Sequence, residues 1–405
     1  MNYDKIMIFD GAMGTQLMNK GLTADQCPDY WSIIKPDIIK EIHQSYINAG
    51  SDVIETNTFG ANRVKLKKFN LDDKVEQINI AAVTLAKETA SNNTLVAQSV
   101  GPTGEILKPI GDFDFDTAVD VFYEQILAGL KAGADIISLE TMSDIREMKA
   151  AFLGYLYAKQ KLNSNALVIT SFTFEQNGKT LMGNSPEVVS YTLSFMGADI
   201  VGANCSGGPD LLLNVIEKMY QFSLKPLSVK PNAGIPKSID GQTVYENCVP
   251  DFLRLANSFI NNGVRLYGGC CGTTPEYIYE LSKNLKGKEM PIAINAKPNY
   301  ITSLTRIVDI NNINKIEHLE IDNNYSEDII YDLIGVEADA IEIIIKENIS
   351  NDIIKEFLIN SQNILKIPYI FNLKDNTHID IIDKYYCGIY GIKNNINSKF
   401  GVKIN

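Results

Sequence analysis

The chain has 405 residues, of which 45% are hydrophobic and 21% charged, and this ordinary globular composition excludes wholesale disorder or a coiled coil. The formal net charge of −12 argues against nucleic-acid and anionic-membrane partners, because such partners favour an excess of Lys and Arg. No apolar run approaches the roughly 20 residues that span a bilayer, and no export signal follows Met1, so we expect a cytoplasmic protein.

Short β-branched segments alternate with segments of helical periodicity over about the first 290 residues. The predicted strands are residues 6–10, 52–56, 95–99, 135–140, 167–172, 199–204, 227–231 and 265–269. The predicted helices are residues 36–49, 74–90, 117–131, 144–159, 186–195, 209–222, 249–261 and 275–285. Eight such units predict an α/β fold of the (β/α)8 TIM-barrel type. An open doubly wound sheet is disfavoured because no dinucleotide-binding glycine fingerprint is present.

The composition changes after about residue 290, where Ile and Asn become frequent. We therefore predict a barrel over residues 1–290 and a smaller α/β domain over residues 291–405. In the second domain, strands are predicted near residues 306–309, 340–345, 369–373 and 388–392, and helices near residues 326–337, 351–361 and 379–385. Because an ordinary barrel takes about 250 residues, this remainder is too short to close a second one.

Three of the six cysteines fall where predicted barrel strands end. Cys205 follows the sixth strand, and Cys270 and Cys271 follow the eighth. Active sites of such barrels lie at the carboxyl ends of the strands, so the three thiols should share one face. Three thiolates favour zinc and leave open the fourth position that a catalytic zinc ion needs. Buried unreactive thiols and a strained vicinal disulfide are the alternatives to this predicted metal site.

A zinc ion held by three thiolates is electron-rich, which suits it to binding a thiol and lowering its pKa rather than to activating water. Asp10 and Glu140, at the same face, could pair with an ammonium group. A carboxylate could bind the backbone N–H groups of Ala12, Met13, Gly14 and Thr15. The alternatives are a cap or loop anchor for Asp10 and an internal salt bridge for Glu140. Together these groups predict an amino-acid thiol as substrate.

Six segments at the predicted strand ends match one known family. They are Asp10-Gly11-Ala12-Met13-Gly14-Thr15, Glu55-Thr56-Asn57-Thr58-Phe59, Glu140-Thr141-Met142, Asn204-Cys205, Pro231-Asn232-Ala233-Gly234 and Gly268-Gly269-Cys270-Cys271-Gly272-Thr273-Thr274-Pro275. Over about residues 1–290 the chain resembles the homocysteine S-methyltransferase domain. Within that family it is most similar to the homocysteine-binding module of cobalamin-dependent methionine synthase.

The resemblance implies a Zn²⁺ site on Cys205, Cys270 and Cys271, which act in catalysis because the bound zinc activates the thiol of homocysteine. It also implies that the substrate is recognised by the Asp10 loop (residues 10–15) and Glu140, and that methionine is the product. Two further positions match pocket residues of the family, namely Asn57 and Asn232. The second of these is expected to occupy the fourth zinc position when substrate is absent.

The resemblance leaves the methyl donor open. Methionine synthases of this type use methylcobalamin, but the sequence contains no Asp-x-His-x-x-Gly cobalamin motif, since His43, His318 and His378 all lack that spacing. We therefore expect methylcobalamin to be supplied by a corrinoid protein in trans. S-methylmethionine, betaine or another small methylated compound is the alternative donor.

Residues 291–405 faintly resemble part of a pterin-binding barrel, at residues 337–343 and 367–372. The pterin-contacting opening is missing, so no folate-site residue is assigned. We interpret this region as a shortened domain that docks a corrinoid protein or forms a homo-oligomer. The alternative from another functional class is a non-catalytic subunit that binds zinc or an amino-acid thiol. It is disfavoured because every residue expected of the site is present.

Overall fold

The computed structural model describes residues 4–90, 93–234, 236–239, 242–245, 248–289, 297, 299–394 and 396–404. The first ten strands are β1 (Met7–Ile8), β2 (Val53–Glu55), β3 (Leu95–Val100), β4 (Ile136–Met142), β5 (Leu167–Phe172), β6 (Ile200–Cys205), β7 (Leu227–Pro231), β8 (Pro236–Ile239), β9 (Gln242–Tyr245) and β10 (Val264–Tyr267). β8 and β9 form an antiparallel hairpin. The other eight form one parallel sheet in the order β1-β10-β7-β6-β5-β4-β3-β2.

This sheet curls into a nearly closed barrel, as the strand pattern predicted. Phe9 and Val53 form a parallel bridge that joins β1 to β2, the two ends of the strand order. A separate cluster of buried apolar side chains comes from or directly follows these strands, namely Phe9, Val53, Ala97, Ile136, Ile169, Ile200 and Leu266. The barrel is therefore a packed core whose chemistry is confined to its ends.

Helices surround the barrel and bury their apolar faces against the strands. They are α1 (Met13–Asn19), α2 (Trp31–Ile34), α3 (Pro36–Asn48), α4 (Arg63–Leu66), α5 (Val75–Thr89), α6 (Phe115–Lys131), α7 (Ile145–Leu162), α8 (Pro186–Met196), α9 (Pro209–Phe222), α10 (Val249–Leu253), α11 (Ala256–Asn261) and α12 (Pro275–Leu285). Short 3-10 turns lie at Lys67–Phe69 and Asp72–Lys74. No helix in the described ranges is long and apolar enough to cross a membrane.

The helix predicted over residues 249–261 is broken into α10 and α11. The Phe252 and Phe259 rings lie 5.9 and 5.4 Å from the Tyr267 ring, centroid to centroid. In one straight helix, residues seven apart are separated by about 10 Å along the axis. The break therefore allows both rings to pack on the same tyrosine.

The C-terminal region contains a second parallel sheet. Its elements are β11 (Tyr300–Thr302), β12 (Ile307–Asp309), β13 (Ile316–Ile321), α13 (Asp328–Tyr331), β14 (Ala340–Ile345), α14 (Asn351–Leu365), β15 (Tyr369–Asn372), α15 (Ile379–Tyr385), β16 (Tyr390–Ile392) and β17 (Gly401–Lys403), with a 3-10 turn at Ile310–Asn312. Strands β13 to β17 pair in chain order, and β11 and β12 form a separate antiparallel pair. The predicted helix over residues 326–337 is only four residues long, and the chain turns at Gly335 with a φ of 81°.

The second sheet and the barrel share one apolar core. Lys149 of α7 is buried and donates a hydrogen bond to the backbone oxygen of Tyr386. The Thr192 hydroxyl on α8 lies 2.9 Å from that of Thr302 on β11. The boundary predicted at residue 290 falls within residues 290–296, which lie outside the described residues, so the division into two domains stays a prediction.

Asp116 of α6 forms a charged cluster with the C-terminal region. Its carboxylate accepts hydrogen bonds from Lys355 and Lys384, each at 2.6 Å, and from the Tyr385 hydroxyl. Burial by itself would raise the pKa of Asp116, but these hydrogen bonds outweigh burial and lower the pKa to about 2. The cluster therefore favours the ionised carboxylate and holds α6 against α14 and α15.

We expect Asp116→Asn to reduce the free energy of unfolding by about 1 kcal/mol at pH 7, a modest effect because solvent screens this partly exposed cluster. Because the native pKa is depressed, the stabilisation is present above pH about 4 and is lost as the pH falls towards 2. Urea unfolding at several pH values measures both effects. Asp120→Asn, an exposed change on the same helix, is the control. A difference from wild type that stayed constant down to pH 2 would contradict this account.

Candidate active site

The three predicted zinc ligands meet at the carboxyl end of the barrel. Cys205 is the last residue of β6, and Cys270 and Cys271 lie in the turn after β10. The Cys205 sulfur is 3.1 Å from that of Cys270 and 3.8 Å from that of Cys271, and all three thiols are free. The two distances from Cys205 are far longer than the roughly 2.05 Å of a disulfide bond. Cys270 and Cys271 are both free as well, so no disulfide links these three cysteines in this structure.

The backbone turns sharply at both cysteine positions. Cys205 and Ser206 have φ values of 57° and 58°, in the left-handed region that non-glycine residues rarely adopt. Gly272, directly after the cysteine pair, has a φ of 80°, and a Cβ there would lie 2.4 Å from the Tyr245 ring. These turns direct the sulfurs towards one another, and the glycine is required by both its conformation and the tyrosine beside it.

The donor set fits a tetrahedral zinc ion. The three sulfurs lie within 4.8 Å of one another, and within the described ranges they are the one group of three or more His, Cys, Asp or Glu residues so placed. Zinc–sulfur bonds of about 2.3 Å at tetrahedral angles separate the sulfurs by about 3.8 Å, close to the Cys205–Cys271 distance. The Asn232 side-chain oxygen is also buried with no hydrogen-bond partner among the described residues.

A cavity of about 670 Å³ opens beside the thiols. The predicted residues that line it are Ala12, Met13, Gly14, Thr15, Asn57, Glu140, Cys205, Cys270 and Cys271. Asp10 and Asn232 are buried and are not among the described residues that line it. The barrel thus brings together, on one cavity, segments that are up to 260 positions apart in the sequence.

Residues 12–15 are tied to the cysteine turn. The Ala12 N–H donates to the Thr273 hydroxyl at 3.3 Å, and the Gly272 N–H donates to the Thr15 hydroxyl at 3.1 Å. A Cβ added to Gly14 would meet no atom within 4 Å, so the backbone there faces open space. The Ala12 N–H is therefore already engaged, whereas Gly14 offers unobstructed backbone at the start of α1.

Glu140 takes part in a buried ionic cluster whose other members could not be inferred from the sequence. Lys230 of β7 donates to Glu140 at 2.6 Å and to Glu55 at 2.5 Å, and its side chain is only 4% exposed. The Ser99 hydroxyl donates to the other oxygen of Glu140. Burial, together with repulsion from Glu140, raises the pKa of Glu55 to about 7. The salt bridge considered for Glu140 is present, and two carboxylates against one ammonium leave this cluster able to attract a further cation.

Asp10 and Asn57 organise the loops around the cavity. Asp10 accepts a hydrogen bond from the Glu55 N–H at 2.8 Å, while its other oxygen is buried without a partner among the described residues. Burial raises the pKa of Asp10 well above its usual value. Asn57 donates to the backbone oxygen of Pro28 at 2.8 Å. Both side chains hold neighbouring segments in place, and Asn57 also lines the cavity.

Two further groups at the cysteines were not predicted. The Asn204 side-chain oxygen accepts a hydrogen bond from the Thr141 N–H at 2.9 Å, and its amide nitrogen donates one to the Thr141 hydroxyl at 2.7 Å. These two bonds connect the end of β6 to the end of β4. Tyr245 lies on the cavity wall, and its hydroxyl is hydrogen-bonded to Cys271. Asn204 was visible as the residue before Cys205, but no sequence signal indicated Tyr245.

Comparisons with known proteins find relatives of the barrel region. The sequence profile described as homocysteine S-methyltransferase matches residues 7–285. A methionine synthase from Mycobacterium leprae (strain TN) is 32% identical over 292 residues, which cover 69% of this chain and 24% of that protein. The methionine synthase of Mycobacterium tuberculosis (strain ATCC 25618 / H37Rv) is 32% identical over 306 residues, covering 71% of this chain and 26% of that protein. The chain thus spans about a quarter of the length of these curated relatives.

A solved structure shares the barrel. The oxidised form of the homocysteine methyltransferase MmuM from Escherichia coli superposes with a TM-score of 0.57 at 25% identity, covering 69% of this chain and 96% of that one. The metallated form of the same protein gives a TM-score of 0.57 at 24% identity. The match covers nearly all of that protein, which agrees with a barrel that is complete within the first part of this chain.

Proposed function

The chain belongs to the homocysteine S-methyltransferase family, and from this premise we propose that it transfers a methyl group to the thiol of homocysteine, forming methionine. The observation that carries the proposal is the convergence of three free thiols, within 4.8 Å of one another, on a cavity that also contains an acidic cluster. Thiols would hold the metal, and the acidic cluster would hold the amino acid.

We propose that Cys205, Cys270 and Cys271 bind zinc, with Asn232 near the fourth position when substrate is absent. When bound there, zinc would lower the pKa of the homocysteine thiol while leaving its sulfur nucleophilic. The Asn232 oxygen, buried and without a hydrogen-bond partner among the residues that the structure describes, supports its part in this assignment. Tyr245 and the Asn204–Thr141 pair keep the cysteine turns in position through the contacts described above.

The amino-acid part of homocysteine would bind between two walls. Glu140, supported by Asp10 and the rest of the acidic cluster, would accept the ammonium group. The backbone of Met13, Gly14 and Thr15 would receive the carboxylate, with Asn57 on the adjoining wall. Ala12, whose N–H is engaged by Thr273, would shape this loop without donating to the substrate.

Glu140→Gln should weaken homocysteine binding by at least about tenfold, because an amide keeps the shape of the side chain but loses the charge that attracts the ammonium group. The zinc content should not change. Calorimetric titration with homocysteine and metal analysis of the same preparation measure the two quantities. Glu175→Gln, an exposed change in the loop after β5, serves as the control. Unchanged homocysteine affinity in the Glu140 variant would refute this role.

Two classes of methyl donor are candidates. The 32% identity to methionine synthases supports methylcobalamin carried by a separate corrinoid protein. The volume of the cavity supports a small donor, because about 670 Å³ is within the range that holds a drug-sized ligand, and homocysteine is much smaller. A screen of methylcobalamin, a methylated corrinoid protein, S-methylmethionine and betaine, each with homocysteine, tests the proposed function. Failure of every donor with zinc-loaded protein would favour the non-catalytic binding subunit.

The role of residues 291–405 stays a proposal, with docking of the corrinoid protein and formation of a homo-oligomer as the candidates. The described contacts with α6, α7 and α8 add a structural role, because the C-terminal sheet covers part of the barrel surface. The predicted cytoplasmic location also stays a prediction.

A further inference from the structure

One group beside the thiols has no part in the proposed binding of homocysteine. It is the phenol of Tyr245, the last residue of β9. Tyr245 lines the cavity together with the cysteines, and its hydroxyl is hydrogen-bonded to the sulfur of Cys271. A phenol hydroxyl donates such a bond, and a thiolate accepts it. The phenol therefore acts on a sulfur that the proposed function assigns to the metal.

The segment that carries Tyr245 contacts Cys271 at two places. The Ala233 N–H, shortly after β7, donates to the Cys271 backbone oxygen at 2.9 Å. The hairpin of β8 and β9 follows, and Tyr245 pairs with Pro236 at the open end of that hairpin. The chain thus contacts Cys271 before the hairpin through its backbone, and at the end of the hairpin through the tyrosine hydroxyl. The two contacts together fix the hydroxyl relative to the sulfur.

The Tyr245 ring packs directly on the cysteine turn. A Cβ at Gly272 would lie 2.4 Å from ring carbons, so the ring occupies space that any other residue would need. On the opposite side, the Gly272 N–H donates to the Thr15 hydroxyl at 3.1 Å. Packing therefore holds the ring, whereas the hydroxyl alone contacts the sulfur. A change that removes only the hydroxyl separates the two contributions.

The three sulfurs differ in their hydrogen-bond donors. The Asn204 amide nitrogen lies 4.0 Å from the Cys270 sulfur, but it also donates to Thr141 at 2.7 Å. For the Cys205 sulfur, the partners within the described ranges are the other two cysteines. Only Cys271 has a hydroxyl donor among the residues that the structure describes. A hydrogen bond stabilises the charge of a thiolate, and a thiolate so stabilised gives its electron pair less readily.

This difference matters because a methyl donor in the cavity meets four sulfurs, those of the three cysteines and that of homocysteine. If a cysteine sulfur attacked instead, its electron pair would form a bond to the methyl carbon. The bond from the methyl group to the donor would break, and its electron pair would stay on the leaving group. The product is a neutral thioether, which lacks the thiolate charge that binds zinc. The site therefore needs its own sulfurs to be poorer nucleophiles than the substrate.

We propose that Tyr245 is a positioning residue whose hydroxyl keeps the Cys271 sulfur a metal ligand and prevents it from competing with homocysteine for the methyl group. This rests on the proposed function, since the competition exists only where the cavity receives a methyl donor. The hydroxyl acts through Cys271 and does not touch the substrate. The Gly272 position, with no side chain, allows the ring to approach closely enough for this contact.

Alkylation of the zinc-loaded full chain by methyl iodide, without homocysteine, tests this role apart from turnover. Each event forms one carbon–sulfur bond and releases iodide, and fragmentation of the peptides in a mass spectrometer assigns the methyl group to a cysteine. In Tyr245→Phe, which keeps the ring and loses the hydroxyl, Cys271 should be methylated at least about fivefold faster than in wild type. Cys205 should react at an unchanged rate. Tyr279→Phe, an exposed change on α12, should behave as wild type.

During turnover with homocysteine, Tyr245→Phe should lose activity progressively as Cys271 acquires a methyl group, whereas wild type should not. Metal analysis before the reaction should show equal zinc in both proteins. A lower but constant rate, without methylation of Cys271, would mean that the hydroxyl has only a structural role, and the proposal would be overturned.

The outcomes separate the two proposals. If protection of Cys271 depends on Tyr245 but no donor methylates homocysteine, the positioning role stands and the proposed function fails. If homocysteine is methylated, yet methyl iodide attacks Cys271 equally fast in wild type and Tyr245→Phe, the positioning role is overturned. It is also overturned if the variant reacts faster at all three cysteines, because that pattern indicates a general opening of the site and not the loss of one hydrogen bond.

Discussion

Cys271→Ser should lose most of its zinc, and its rate of homocysteine methylation should fall by at least about 100-fold. Even changes to the residues that support metal ligands cost about 10- to 100-fold in affinity or activity, so loss of a ligand should cost no less. A serine hydroxyl is a harder and more weakly bound ligand for zinc than a thiolate. Cys271 is also the sulfur that Tyr245 contacts, so its replacement removes the support as well as the ligand.

Metal analysis of purified protein, which should contain about one zinc per chain, measures the first effect, and methionine formation measures the second. Cys248→Ser is the matched control, because Cys248 is exposed and lies outside the cavity-lining residues. Circular dichroism should show that both variants keep the barrel. Full zinc retention in a variant with all three site cysteines replaced by serine would rule out the metal site.

Lys230→Met should lower the free energy of unfolding by about 3–5 kcal/mol, the usual cost of breaking a buried ion pair by removing one partner. The loss leaves Glu55 and Glu140 buried without the ammonium that separates them. Urea unfolding of the zinc-loaded protein measures the change. Lys218→Met, an exposed change on α9, is the control. A loss below about 1 kcal/mol, as for an exposed pair, would contradict the buried cluster.

The pH dependence of this variant has a definite sign. Burial already raises the pKa of Glu55 to about 7, and loss of Lys230 removes an interaction that lowers it. The native variant therefore binds more protons than its unfolded state between pH about 4.5 and the raised pKa, so its stability falls as the pH rises through that window. The destabilisation should be larger at pH 8 than at pH 5. Adding Glu55→Gln should recover part of the loss, since it removes one uncompensated carboxylate.

The eight barrel strands were predictable because each is a short apolar segment bounded by turn residues. The predicted strand over residues 227–231 coincides with β7, and that over residues 167–172 coincides with β5. The C-terminal strand β14 was predicted with the same bounds. β13 was missed because its apolar residues are interrupted by the polar residues Glu317, His318 and Glu320, and a mixed pattern is a weak signal over only six residues.

The cysteine cluster was also predictable, since the carboxyl ends of parallel barrel strands share one face. What could not be predicted was the environment of Glu140. Its partners Ser99 and Lys230 are 41 and 90 positions away, and Lys230 stands in an apolar strand with no motif around it.

The sequence by itself determined the barrel, the family and the three thiols that would hold zinc, because strand periodicity and residue spacing along the chain carry that information. The tertiary structure decided which charges meet: Glu140 with Lys230, and Asp116 with the C-terminal lysines. Closing the barrel brings distant side chains to one low-dielectric cavity, where pairing and burial set their charge states. The net charge of the chain excluded only some classes of partner. The positions of the individual charges in the folded barrel indicate where a substrate can bind.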